Sequence, residues 1–190
     1  MAAMHVNKVS AARRQIDAAI RMLFSGEDSL AVHTVAAAGC RLVRDLAEHR
    51  RPPDASHIYE NALKDVYRGL LGRSPTDDQI KRESPKLKSM YFRGSNRPAN
   101  FLKHADHDQN DFIDESEMNT DDLLLEASAL YTMMGFDPTA EMRSFLRWHL
   151  AVYPHEDGDA INTAAGPVHE LPREDQLEFG AYLLEIHGVP

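Results

Sequence analysis

The stretch LAVHTVAAAGCRLVRDLAEH, residues 30–49, decides how this chain is built. Its middle part, AVHTVAAAGC, consists almost entirely of small side chains, so the sequence predicts a long helix that a neighbouring helix can approach closely. Ser29 is placed to cap the start of this helix, because its hydroxyl can accept a hydrogen bond from a free backbone N–H group. The RRPPD segment at 50–54 ends the helix, since proline neither donates a backbone hydrogen bond nor continues the turn.

Other stretches repeat apolar residues at three- and four-residue spacing, which is the pattern of amphipathic helices. Three further helices are predicted over about 8–24, about 55–72 and about 174–187. Another helix begins at Pro98, one runs from Asn119 or Thr120 to about 134, and one follows Asp137-Pro138 and ends near 153. We find no strand pattern and no repeat. The sequence therefore predicts an all-α fold, a compact bundle of five to seven helices with a C-terminal helical extension. Residues 1–153 would form the bundle domain, and residues 154–190 a connecting segment, without a core of its own, and a docked last helix.

Composition excludes several classes of function. The chain of 190 residues carries 30 acidic against 21 basic residues, a net charge of −9, which argues against broad DNA or phosphate-backbone binding. No run approaches the roughly 20 apolar residues that a membrane helix needs. The first residues also lack the apolar core of a signal peptide, so we expect a cytoplasmic protein. Cys40 is the only cysteine, and a small buried thiol is the expectation for it.

An acidic segment at 104–117, HADHDQNDFIDESE, has the ligand spacing of a calcium-binding loop. Such a loop places oxygen ligands at every second position and a glutamate at the twelfth, and it prefers glycine at the sixth. Asp111 occupies that sixth position here. The alternative is an acidic, solvated loop that joins two core helices. The candidate calcium ligands are Asp106, Asp108, Asn110, Asp114 and Glu117.

The segment RPANFLKH, residues 97–104, combines an arginine, an amide and a histidine near the start of a predicted helix. Arg97 could hold a phosphate and its developing charge. His104 could act as general acid or base on a ribose hydroxyl, with Asn100 one helical turn before it. A similar spacing of arginine and histidine also occurs at Arg44–His49, Arg51–His57 and Arg143–His149.

His33 and Thr34 lie in the middle of the alanine-rich helix. A core histidine with its hydrogen bonds satisfied is one interpretation. The other is a ligand pocket, which would form if this helix packs on the later helix that carries Asn100, Lys103 and His104. The candidate pocket residues are His33, Thr34 and Lys103.

Two motifs carry a resemblance to a known family. His33-Thr34 with Ala37-Ala38, and NFLKHAD at 100–106, resemble the H-T-x-x-A-A and N-F-x-K-H-A-D motifs of a family of small, uncharacterised bacterial helical proteins. That arrangement is similar to the HEPN superfamily. The resemblance implies a helical, frequently dimeric, metal-independent ribonuclease with four to six residues between its arginine and its histidine. Arg97, Asn100 and His104 would then be the motif residues, although Ala99 rather than the arginine directly precedes the polar residue.

Three functional hypotheses follow. The sequence favours a non-enzymatic module that forms a homodimer or binds a protein partner, with the small-residue face of the helix at 30–49 as one contact. The alternative is a HEPN-like ribonuclease that uses Arg97, Asn100 and His104 and would bind RNA. The second alternative is calcium binding at 106–117, and otherwise no cofactor is expected.

Overall fold

The computed structural model describes residues 6–50, 76, 96–104, 110–154 and 161–188. The predicted helix at 55–72 lies outside these residues, as do Arg51, His57, Asp106 and Asp108. The described α-helices are α1 (Lys8–Phe24), α2 (Ser29–Arg50), α3 (Thr120–Met133), α4 (Ala140–Val152) and α5 (Arg173–Gly188). Residues 96–101 are also helical. The predicted all-α class is confirmed.

Smaller elements join these helices. A 3-10 turn covers Glu115–Glu117 and another covers Val168–Glu170. Two short strands that the sequence did not predict, β1 (Asn162–Thr163) and β2 (Gly166–Pro167), pair antiparallel as a hairpin before α5. The helix bounds agree with the predicted ones to within two residues at each end. None of the described helices is long and apolar enough to cross a membrane.

The caps of two helices differ from the prediction. Asp28 caps α2, because its Oδ1 accepts hydrogen bonds from the N–H groups of Leu30 and Ala31 at 3.0 and 3.2 Å. Ser29 is instead the first residue of the helix, which begins one residue earlier than expected. A carboxylate at this position also stabilises the helix, because it lies at the positive end of the helix dipole. Asn119 precedes α3 as predicted, but its side chain makes no capping hydrogen bond with any described residue.

The small-residue face of α2 packs against α1 inside the same chain. Ala36 and Cys40 are fully buried, and a Cβ atom added at Gly39 would lie 3.0 Å from Ile16 Cγ1. A larger residue at position 39 would require Ile16 to shift by a few tenths of an ångström. The predicted close helix approach is present, but the face is covered by α1 and is not available to a separate partner.

An aromatic cluster ties the C-terminal helix to the bundle. The ring of Trp148 lies 5.5 Å from the rings of both Phe24 and Phe145, measured between centroids. Its Nε1 donates a hydrogen bond of 2.6 Å to the carbonyl of Gln176 in α5. The connecting segment also contributes to the core, since Val168 is fully buried. The segment joins the core of the bundle through Val168, and the division into 1–153 and 154–190 stays a prediction.

A methyl group at position 180 should destabilise the fold. A Cβ atom there would overlap the ring of Phe24, which is buried and cannot move freely. Alanine gains about 1 kcal/mol over glycine in helix propensity, and overpacking a core costs about 1–3 kcal/mol. We expect Gly180→Ala to lower the free energy of unfolding by up to about 2 kcal/mol, measured by urea denaturation.

The control for this prediction changes Phe24, whose ring the added methyl group would overlap. In a Phe24→Leu background the clash is relieved, so Gly180→Ala should be neutral or stabilising there. A gain in stability from Gly180→Ala in the native background would contradict the packing argument.

Candidate functional site

The three predicted catalytic residues lie along one short helical run. Residues 96–101 are helical, and the His104 N–H still donates a 3.0 Å hydrogen bond to the Asn100 carbonyl. Side chains three and four residues apart share one side of a helix. Arg97, Asn100 and His104 are all exposed, and His104 lies just beyond the last helical residue.

An ion pair engages the arginine of this group. Arg97 Nη1 donates a hydrogen bond to Glu117 Oε2, across the acidic loop. The Arg97 guanidinium holds the pKa of the Glu117 carboxyl below its usual range. A phosphate that approached Arg97 would therefore compete with a carboxylate that is already in place.

The acidic loop is only partly described. Asn110, Asp114 and Glu117 are exposed, whereas Asp106 and Asp108 lie outside the described residues. Asp114 caps the 3-10 turn, since its Oδ1 accepts the Ser116 N–H at 2.8 Å. Among the residues that the structure describes, no group of three or more carboxylate, histidine or cysteine residues could hold a metal ion. Calcium binding at this loop stays a prediction.

His33 is fully buried, and its Nδ1 lies 3.0 Å from Thr120 Oγ1 at the start of α3. Its Nε2 has no hydrogen-bond partner in the described part of the chain. Burial lowers the pKa of this imidazole, and the positive charge of Lys103 lowers it further. Thr34 is instead exposed, and its hydroxyl donates to the Leu30 carbonyl at 2.7 Å. Of the predicted pocket, His33 and Lys103 lie near enough to interact, Thr34 points elsewhere, and Thr120 joins them.

A buried ion pair that the sequence analysis did not single out positions this region. Arg44 of α2 and Glu126 of α3 are 8% and 4% exposed, and two guanidinium nitrogens donate to the two carboxylate oxygens at 2.6 and 2.5 Å. A third nitrogen, Nη1, donates to Asn96 Oδ1 at 3.2 Å, which attaches the helical run to α2. The sequence feature that indicates this ion pair is a charged residue on the otherwise apolar face of each helix.

The same pair affects the single cysteine. Burial, together with the nearby Glu126 carboxylate, raises the pKa of the Cys40 thiol to about 12. A thiol that stays protonated is a poor nucleophile. The expectation of a buried thiol is confirmed.

A groove of about 740 Å³ lies where the ends of several helices meet. Asp121 is its central acid, since it accepts hydrogen bonds from Tyr153 Oη at 2.8 Å and from Arg173 Nη2 at 2.9 Å. Arg173 also lies over the Trp148 ring, 4.9 Å from its centroid. These contacts hold the start of α5 to the start of α3. Acidic residues at helix starts stabilise the helix through its dipole. The acidic lining of the groove is therefore explained without a ligand.

The outer side of α5 carries exposed apolar residues. Tyr182 is 57% exposed and Ile186 is 51% exposed, and half-buried Phe179 lies one turn before them. Because these positions are three and four residues apart, they share one side of the helix. We call Phe179, Tyr182 and Ile186 the α5 face.

Comparison with known proteins does not add to this geometry. No protein-family model, no curated protein and no solved structure matches the chain. The resemblance to the HEPN superfamily therefore stays a prediction that depends on the residues quoted above.

The buried imidazole predicts a pH dependence of stability. The folded pKa of His33 lies below its ordinary value of 6.5, so on acidification the unfolded chain binds a proton that the folded chain does not. The free energy of unfolding should therefore be fully retained above pH 6.5 and fall as the pH drops below it. Urea denaturation across this range should show a flatter pH profile for His33→Gln than for the native protein.

Lys103 provides a second probe of the same imidazole. Lys103→Met removes a charge that opposes protonation, so its profile should fall between those of the native protein and His33→Gln. Equal slopes in all three proteins would remove His33 as the titrating group.

Proposed function

We propose that this protein is a non-enzymatic helical module that binds a protein partner through the α5 face. The observation that carries the proposal is the exposure of Tyr182 and Ile186 at 57% and 51% on a helix whose other side is already docked. Single exposed apolar residues are normal on protein surfaces. A group of them at helical spacing is instead the pattern by which one helix packs on another.

The inner side of α5 explains why the outer apolar residues are not needed for folding. Gln176 and Gly180 are buried, and Ser144 Oγ donates to the Leu183 carbonyl at 3.1 Å. These contacts dock the helix on α4 and α1. Phe179 packs partly against the core, whereas Tyr182 and Ile186 of the α5 face are exposed and available for a partner.

Site-specific photo-crosslinking in cells tests this proposal. A photo-reactive aromatic residue in place of Tyr182 should yield a defined protein adduct, because the partner would lie in contact with it. The matched control is the same residue in place of Arg41, whose side chain is 66% exposed on the distant α2. Adducts at position 182 and not at 41 are expected, whereas no adduct at 182, or equal adducts at both, would overturn the proposal.

Metal-independent RNA cleavage is a second candidate function. The observation that favours it is the exposure of Arg97, Asn100 and His104 within one short segment. The competing match in this region, Arg44 with His49, is weakened because Arg44 is occupied by Glu126 and is only 8% exposed. An arginine that RNA cannot reach cannot hold its phosphate.

Cleavage of RNA in the presence of EDTA tests this second candidate. If it holds, His104→Ala should lose roughly 10²–10⁴-fold in rate, the typical contribution of a general acid or base. His49→Ala is the matched control, since His49 is also exposed and belongs to the competing match. Absence of cleavage by the native protein, or equal loss in both variants, would exclude the assignment.

Three further expectations belong to the proposal. Binding would take place in the cytoplasm, and the module would work without a cofactor. Contact with RNA would arise only under the second candidate function. Calcium binding at 106–117 carries no step of either function.

A further inference from the structure

The outer sides of α4 and α5 carry opposite charge. The exposed acidic residues of α5 are Glu174, Asp175, Glu178 and Glu185. The neighbouring α4 instead exposes two arginines beside exposed Leu150 and half-buried Leu146. We call Arg143, Leu146, Arg147 and Leu150 the α4 face. The α5 face is therefore flanked by acidic side chains, whereas the α4 face itself carries two arginines.

We infer that the partner of the α5 face is a second copy of this chain, which covers it with its α4 face. The inference rests on the proposed function and names its partner. Pairing of two α5 faces would place acid against acid, which is unfavourable. An α5 face on an α4 face places carboxylates near guanidinium groups and brings Tyr182 near Leu150.

The symmetry of such a dimer follows from the way α4 and α5 pack. Ser144 Oγ lies 3.1 Å from the Leu183 carbonyl and 3.0 Å from His187 Nδ1, so Ser144 is level with the last turns of the antiparallel α5. Mutual cover of the two faces requires a two-fold axis parallel to these helices. Rotation about that axis does not move a residue along the helix direction, so each residue keeps its position, or height, along that direction.

This symmetry identifies one charge pair across the interface. Arg147 contacts His187 of its own chain, which places it at the height of the last turns of α5. In the dimer it would face the same height of the other copy's helix, where Glu185 of the partner subunit lies. The exposed residues Leu150 and Tyr182 would form the apolar centre, and the charge pairs the rim.

The available area fits a small stable interface. The 16 residues of α5 span about 24 Å, and two neighbouring helices are about 20 Å wide. The two faces together therefore project roughly 500 Å². The smallest specific interfaces bury about 600 Å² of accessible surface per partner, which a corrugated helix surface of this size can supply.

Sedimentation equilibrium of the purified full chain tests the inference by charge exchange. We expect the native protein to dimerise, and we expect Arg147→Glu or Glu185→Arg to weaken dimerisation by at least about tenfold, because each creates two like-charge contacts. The variant that carries both substitutions should restore the native dissociation constant to within about threefold. A monomer at every concentration, or a dimer that none of the variants alters, would overturn the inference.

A separate variant is needed because Arg147→Glu also changes the contact between residue 147 and His187 of the same chain. Leu150→Ser changes a residue that is 51% exposed and should weaken the dimer while the melting temperature of the monomer stays unchanged. A native-like dimer in Leu150→Ser would also count against the inference.

The outcomes of this experiment and of the crosslinking experiment are distinguishable. A crosslinked adduct at position 182 of twice the chain mass, with charge exchange as described, supports both proposals. An adduct with a different protein, together with a purified protein that stays monomeric, retains the proposed function and overturns self-association. Absence of any adduct at position 182 overturns the proposed function itself.

Discussion

The ion pair between Arg44 and Glu126 lies between α2 and α3, almost out of contact with water. Removing two charges from water is costly, and their attraction offsets the cost only when the geometry is good. Here both carboxylate oxygens receive a guanidinium N–H, the two-point contact that arginine makes best. Loss of one partner would leave an unpaired buried charge, which typically costs about 3–5 kcal/mol. The position of α2 on α3 therefore depends on this pair.

The same guanidinium also fixes the segment that holds the candidate catalytic residues. Arg44 Nη1 donates to Asn96, so the helical run is attached to α2 one residue before Arg97. From that attachment Arg97 extends outward to Glu117 of the acidic loop, and the charge of Lys103 acts on buried His33. The exposed helical run and the buried imidazole are thus parts of one arrangement, and α2 is the element common to both.

Sequence patterns predict the described helices well because each of them buries one apolar face, and a periodic face is visible without knowledge of its neighbour. Contacts between helices are less visible. Thr34 adjoins His33 in sequence, yet adjacent residues on a helix point about 100° apart, and the hydroxyl near His33 belongs to Thr120, 87 residues later. Charged residues on the apolar faces of α2 and α3 indicate a buried pair, but only the packing shows that Arg44 meets Glu126.

The exposed helical run and the α5 face differ in what a ligand would have to displace. A phosphate at Arg97 would replace Glu117, beside the further negative charge of Asp111, in a chain of net charge −9 that repels nucleic acid. A protein partner at the α5 face would displace only water from Tyr182 and Ile186, and burial of apolar surface is favourable by about 25 cal/mol per Å². Partner binding at the α5 face would require no such exchange, whereas RNA cleavage would first require Arg97 to exchange its ion-pair partner. This difference is why partner binding ranks ahead of catalysis for this fold.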